Sequence, residues 1–232
     1  MVFLAVLAVS VVFAFACRRP LKACPWVFYA MAAGLDVLFI VDSAMPLPGV
    51  LGDALFLLLH KCTLATALFV VVMYIGVFAR DSRVATALRP VRAELSILAW
   101  LLSLGHMAVY LSSYALQMSS GVLKPNIVMA LAVAAVLFCL LLVLGVTSFN
   151  AVKRRMRAES WKHVQLLAYP FFGLVYVHLM LMLLPSALQG GAAAQVSVAV
   201  YSAVFVLYAV LRIARAVADR HGTAAGACDD AP

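Results

Sequence analysis

Two histidines lie inside long apolar stretches of the sequence, where an ionisable side chain is costly. His106 falls within residues 95–117, and His178 falls within residues 164–184. Ionisable groups inside a membrane-spanning segment usually have a function or a buried partner. Because imidazole is an established ligand of haem iron, the pair suggests one haem held between two helices. The alternative is that each histidine is hydrogen-bonded to a neighbouring helix.

The two histidines are expected at similar depth in a membrane. His106 lies about 21 Å beyond Arg92 at a helix rise of about 1.5 Å per residue. On the same rise, His178 lies about 24 Å beyond Lys162. Two axial ligands must meet one iron from opposite faces, so matching depth is what a haem site requires.

The segment that contains His106 also carries a polar stripe. Side chains that recur at three- and four-residue spacing share one face of a helix. The stripe consists of Ser103, His106, Tyr110, Ser113 and Gln117. Gly105 adjoins His106, and Gly173 lies little more than one turn before His178. These glycines would let a flat macrocycle approach the backbone, although they equally allow close helix packing.

The composition indicates an integral membrane protein. The chain has 232 residues, of which 67% are hydrophobic and 11% are charged. Soluble domains average about 45–50% apolar and about 25% charged residues. The apolar residues form continuous blocks of about 16–25 residues, the length of a membrane-spanning helix. Because the strands of a closed β-barrel alternate instead, the predicted fold class is an all-α bundle of membrane helices.

Seven apolar segments predict seven transmembrane helices. No positive charge precedes the first segment, so it is expected to be retained as a span rather than removed as a signal peptide. We divide the chain into two N-terminal helices (1–44), a transmembrane core (45–218) and a short polar tail (219–232) that is expected to be disordered. The segments are residues 2–17, 25–44, 54–78, 95–117, 127–147, 164–184 and 196–217.

The basic residues cluster in alternate loops. They follow the first, third, fifth and seventh segments and are almost absent from the other loops. Positive charge favours the cytoplasmic side, so the pattern predicts an N-terminus outside and a C-terminus inside. This topology explains the formal net charge of +8 without nucleic acid as a partner. The clusters are Arg18, Arg19 and Lys22; Arg80, Arg83, Arg89 and Arg92; Lys153, Arg154, Arg155, Arg157 and Lys162; and Arg212, Arg215 and Arg220.

A set of residues in a fixed order resembles the ferric reductase-like transmembrane family. The first element is Arg92, followed by the apolar helix that contains His106. The second element, at the end of the next helix, is Thr147-Ser148-Phe149-Asn150 with Arg155 and Met156. The third element, which leads into the helix that contains His178, is Trp161-Lys162 with Tyr169. The resemblance covers about Gly52 to Leu184, and within the family it is greatest for the haem-binding membrane subunit of bacterial methionine-sulfoxide reductase systems.

The resemblance implies that His106 and His178 hold a b-type haem that carries electrons across the membrane. The family usually has another histidine four residues after the Trp, and Gln165 stands at that position here. Glutamine is a poor haem ligand, and His163 lies about 200° away around the helix. His163 is therefore expected at the inner interface as a surface group. One haem is expected, and the sequence argues against a second, inner haem.

Three further ionisable residues are candidates for the site. His60 lies in the first turns of the third segment and could be a spare ligand, a contact to a haem propionate or a surface group, of which the last two are favoured. Asp36 lies mid-way along the second segment, at a depth comparable with that of Lys61. Buried charges in bilayers are normally paired, so an ion pair between Asp36 and Lys61 is predicted. The rival interpretation is a carboxylate that handles protons.

No flavin-, nicotinamide- or nucleotide-binding domain is visible in the sequence. Electrons are therefore expected to come from and go to a redox partner protein or a diffusible carrier, such as a flavin or a quinone. The basic inner loops could dock an acidic or flavin-bearing donor. The expected location is the cytoplasmic (inner) membrane. The rival class is a non-redox membrane protein, a transporter or an assembly factor, whose histidines are structural or move protons.

Overall fold

The computed structural model describes residues 2–79, 81–119 and 124–229, and these ranges contain helices and turns but no strand. Arg80, which the sequence assigns to a basic loop, and residues 230–232 of the predicted tail lie outside the described residues. The α-helices of the described ranges are α1 (Val2–Ala16), α2 (Arg18–Ala23), α3 (Pro25–Ala44), α4 (Val50–Leu55), α5 (Thr63–Tyr74), α6 (Arg83–Leu88), α7 (Arg92–Ser119), α8 (Pro125–Ser148), α9 (Asn150–Lys153), α10 (Ala158–Leu166), α11 (Ala168–Leu188) and α12 (Ala192–Asp229).

The described residues form five helical stretches that are long and apolar enough to cross a membrane, and a bent pair adds a sixth if it counts as one span. The predicted all-helical, multi-pass membrane architecture is thus confirmed. Helix α1 has only 15 residues, which is short for a hydrocarbon core that needs roughly 20. The count of seven spans includes α1 and stays a prediction. The five stretches are Pro25–Ala44, Arg83–Ala115, Pro125–Ser148, Ala158–Leu188 and Ala192–Arg220.

The bent pair is interrupted by a π turn and a left-handed residue. The π turn covers Phe56–His60, and the φ angle of Cys62 is 52°. A residue with a Cβ atom rarely adopts that conformation, which cannot continue a right-handed helix. The axis of α5 therefore leaves that of Val50–His60 at an angle of 47°. A membrane tolerates such a break only where the freed backbone groups find partners.

Helix α8 contacts both of the helices that carry the apolar histidines. Helix α7, with His106, packs against α3, α5 and α8, whereas α11, with His178, packs against α8 and α12. Gly105 allows α7 to approach α3 closely, because its backbone lies against the Asp36 carboxyl. The buried side chains of Phe39 and Leu95 belong to the apolar cluster that fills this part of the bundle.

Local interactions at the helix ends agree with ordinary capping rules. Pro125 occupies the first position of α8, where its missing N–H group costs nothing. The Ser82 hydroxyl accepts a hydrogen bond from the Ala85 N–H at the start of α6, with an oxygen–nitrogen distance of 3.2 Å, as an N-cap side chain does. An ion pair of 3.1 Å between Lys22 Nζ and Glu94 Oε1 ties α2 to α7.

Gly105→Ala is expected to lower the melting temperature of the detergent-solubilised protein. The added methyl group would collide with the Asp36 carboxyl, and overpacking of this kind costs about 1–3 kcal/mol. Gly34→Ala is the matched control, because nothing lies within 4 Å of a Cβ atom added there. A helical Gly→Ala change without a clash stabilises by up to about 1 kcal/mol. Equal melting temperatures for the two variants would contradict the close contact between α3 and α7.

Candidate functional site

The His106 imidazole is held by a backbone carbonyl from the bent span. Its Nδ1 atom lies 2.9 Å from the carbonyl oxygen of His60. A carbonyl only accepts hydrogen bonds, so Nδ1 carries the proton of the neutral ring and Nε2 keeps its lone pair. This is the arrangement by which proteins orient histidines that ligate a metal.

The His178 imidazole is held in the same way by a different helix. Its Nδ1 atom lies 3.1 Å from the carbonyl oxygen of Ala130 on α8. Because the carbonyl only accepts, Nδ1 of His178 also carries the proton, and Nε2 keeps the lone pair. Both histidines are therefore fixed as the tautomer whose Nε2 atom can bind a metal.

The two imidazoles lie toward the same end of the bundle. His178 bonds to Ala130, which lies near the start of α8. His106 and Tyr110, in the second half of α7, contact His60. Helix α7 ends where the connection to α8 begins, so both contacts belong to the half of the bundle next to that connection.

The side chain of His60 is part of an aromatic cluster beside His106. Its ring stacks on that of Phe56, with a centroid distance of 4.6 Å and an interplanar angle of 21°. The Tyr110 hydroxyl lies 2.9 Å from His60 Nε2, and the Tyr110 ring centroid lies 4.5 Å from that of His106. Tyr110 thus contacts both histidines, and the Nε2 atom of His60 has a hydrogen-bond partner.

The break in the bent span supplies the carbonyl that His106 needs. His60 is the last residue of the π turn, and the last carbonyls of a helix have no partner within it. In a continuous helix the same carbonyl would accept the N–H four residues later. The sequence carries no signal for this interaction, because a backbone carbonyl is common to every residue type.

Comparison with known proteins identifies the family. The sequence model described as "Ferric reductase like transmembrane component" matches residues 61–176, which is half of the chain. The protein belongs to the ferric reductase-like transmembrane family. The matched range contains His106 and Gln165 and ends just before His178. The family predicted from the sequence is therefore confirmed.

A curated relative is known from Treponema pallidum (strain Nichols), where it is described as an uncharacterized protein. It is 42% identical over 173 residues, a region that covers 72% of this chain and 48% of the relative. The chain thus spans about half the length of the relative it matches. No solved structure matches the chain.

The ion pair predicted between Asp36 and Lys61 is wrong. Asp36 is buried, and its Oδ1 atom lies against Gly105 without a hydrogen-bond partner. Lys61 is exposed, and its Nζ atom lies 5.4 Å from the centroid of the Phe56 ring. The predicted pair requires residues 54–78 to form one continuous helix, whereas the chain changes direction immediately after Lys61.

The other histidine and glutamine candidates lie at the basic end of the bundle. His163 is exposed, and its Nδ1 atom bonds to the Glu159 carbonyl at 2.9 Å, which leaves it on the surface as the sequence suggests. The Gln165 amide donates a hydrogen bond of 3.2 Å to the Thr147 hydroxyl. The Trp161 indole donates to the Thr147 carbonyl at 3.0 Å. This set joins α10 to the end of α8.

A cavity of about 200 Å³ lies beside this set. Its lining includes Gln165, Trp100 and Arg92 but no histidine. Neither His106 nor His178 lines this cavity or the smaller one beside Trp26. Among the described residues, no group of three or more His, Cys, Asp and Glu side chains could hold a metal ion. Gly173, the candidate glycine on α11, has no atom within 4 Å of the position that a Cβ atom would occupy.

A double-mutant cycle tests the contact between Tyr110 and His60. Tyr110→Phe and His60→Phe each remove the hydrogen bond and keep an aromatic ring. The expected coupling energy is about 0.5–1.5 kcal/mol, measured by reversible unfolding in mixed micelles. Tyr176→Phe, which breaks a hydrogen bond to Ser202 between α11 and α12, is the control and should add to His60→Phe without coupling. A coupling energy of zero for the first pair would contradict the contact.

Proposed function

We propose that the protein is a b-type haem protein that transfers electrons across the membrane, with His106 and His178 as the two axial ligands. The observation that supports this most directly is their shared tautomer. Each ring donates Nδ1–H to a backbone carbonyl, which leaves Nε2 as the free donor atom of both. Two imidazoles prepared in this way would be able to ligate the iron of one bound haem.

The chain would contribute ligation, orientation and a low-dielectric surrounding, and a bound haem would supply the redox chemistry. The His60 and Ala130 carbonyls hold the rings and raise the basicity of Nε2 through Nδ1. Tyr110, packed against His106, restricts rotation of that ring. Family membership supports a membrane redox role.

Such a protein would need one partner that donates electrons and one that accepts them. Electrons would come from a donor on the basic side, either a partner protein or a diffusible flavin or quinone, and leave to an acceptor outside. The closer resemblance to the membrane subunit of methionine-sulfoxide reductase systems would make an oxidised-methionine repair enzyme the acceptor. A chain whose histidines only join helices would instead be a non-redox membrane protein.

The topology proposed for this role has seven spans, with the N-terminus outside and the C-terminus inside the cytoplasmic membrane. The three basic clusters that follow α1, the bent span and α8 would then face the cytoplasm. Both histidines would lie in the outer half of the bilayer.

The visible spectrum of purified protein tests the haem. Reduced wild-type protein should show the sharp bands of a bis-imidazole b-type haem, and His106→Ala and His178→Ala should each abolish them. His163→Ala is the matched control, because His163 is exposed at the other end of the bundle, and it should keep the bands. A wild-type protein expressed with ample haem and still without bands would favour the non-redox alternative.

Terminal epitope tags test the number of spans. With seven spans the two tags lie on opposite sides of the membrane, and with six they lie on the same side. In intact spheroplasts, protease should remove an N-terminal tag and leave a C-terminal tag until the membrane is permeabilised. Protection of both tags would show an even number of spans and would contradict the seven-span topology.

A further inference from the structure

The larger cavity, beside Trp161 and Gln165, combines an apolar wall with cationic side chains at its rim. It lies among α5, α7, α8, α10 and α11, at the end of the bundle away from the histidine pair. Aromatic and aliphatic side chains form much of its wall, including Phe69, Trp100, Leu144, Phe171 and Phe172. The cavity therefore suits a ligand with a hydrocarbon portion.

Three cations line the same cavity, and no carboxylate does. They are Arg89, Arg92 and Lys153. The ion pairs found in the described part of the chain involve other cations, Lys22 with Glu94 and Arg215 with Asp219. Lys153 Nζ instead lies 4.3 Å from the centroid of the Trp161 ring. The positive charge at this rim is thus uncompensated by acidic side chains, and it favours an anionic ligand.

A buried donor in the wall also lacks an acceptor. The Trp100 Nε1 atom is buried without a hydrogen-bond partner, and the indole lies against Gly145 so closely that a Cβ atom would not fit. An indole N–H can only donate, and leaving it unsatisfied costs about 1–3 kcal/mol. Because this nitrogen is packed against Gly145, a ligand in the cavity meets the rest of the wall and not the indole N–H.

We propose that this cavity binds an anionic phospholipid from the leaflet at the basic end of the bundle. The phosphate would meet Arg89, Arg92 and Lys153, and hydrocarbon would cover the aromatic wall. Basic pockets between membrane helices on the cytoplasmic side are suited to such headgroups. A free phosphate would neutralise the rim but leave the apolar wall uncovered.

Lipid retention by the purified full-length protein tests the proposal. Native mass spectrometry would measure binding of phosphatidylglycerol and phosphatidylcholine to delipidated protein, and melting temperature would report the stabilisation. The test variant carries Arg89→Gln, Arg92→Gln and Lys153→Gln. The control carries Arg154→Gln, Arg155→Gln and Arg157→Gln, which removes the same charge from residues that do not line the cavity.

Phosphatidylglycerol should bind wild type and control at least tenfold more tightly than phosphatidylcholine, and the test variant should lose this preference. If the triple variant fails to fold, Lys153→Gln alone is the test variant: it should weaken retention of phosphatidylglycerol, whereas Arg154→Gln, outside the cavity, should not. Equal binding of the two lipids, equal loss in the control, or displacement of the lipid by millimolar inorganic phosphate would overturn the proposal. Because no readout uses haem bands, this proposal and the proposed function can fail separately.

Discussion

Hydrocarbon offers no hydrogen bonds, so every backbone polar group within a membrane needs a partner from the protein. The bent span violates the simplest solution to this constraint, because its helix stops at His60 and resumes at Thr63. The His60 carbonyl freed by that break accepts a hydrogen bond from the Nδ1–H group of His106. One hydrogen bond therefore satisfies the backbone of one span and fixes the orientation and tautomer of a side chain on another.

The two ends of helix α8 lie in chemically different parts of the bundle. Near its start, the Ala130 carbonyl holds the His178 ring. Near its end, Thr147 receives hydrogen bonds from Trp161 and Gln165 beside the cationic cavity. Neutral imidazoles thus occupy one half, and uncompensated positive charge occupies the other. A redox centre in the first half would lie within the electrostatic field of the second, and an anion bound there would weaken that field.

Much of the helical framework could be predicted from hydrophobicity. The second apolar segment, residues 25–44, coincides with α3, and the family was evident from the spacing of Arg92, His106 and the later motifs. The break at Cys62 could not be predicted, because its left-handed conformation is adopted by a non-glycine residue with no proline nearby. The position of Lys61 depends on that break, so the predicted ion pair failed with it. The cavity rim combines Arg89 and Arg92 with Lys153, which comes from a separate basic segment of the sequence. Only tertiary packing brings these cations together.

The length of α12 has a mechanical consequence. Its 38 residues extend about 57 Å at about 1.5 Å per residue, whereas a bilayer with its headgroups is about 40–45 Å thick. A helix of this length must tilt in the bilayer or extend beyond its headgroups. Because α12 packs along α11, a change in the tilt of α12 would also change the position of the helix that carries His178.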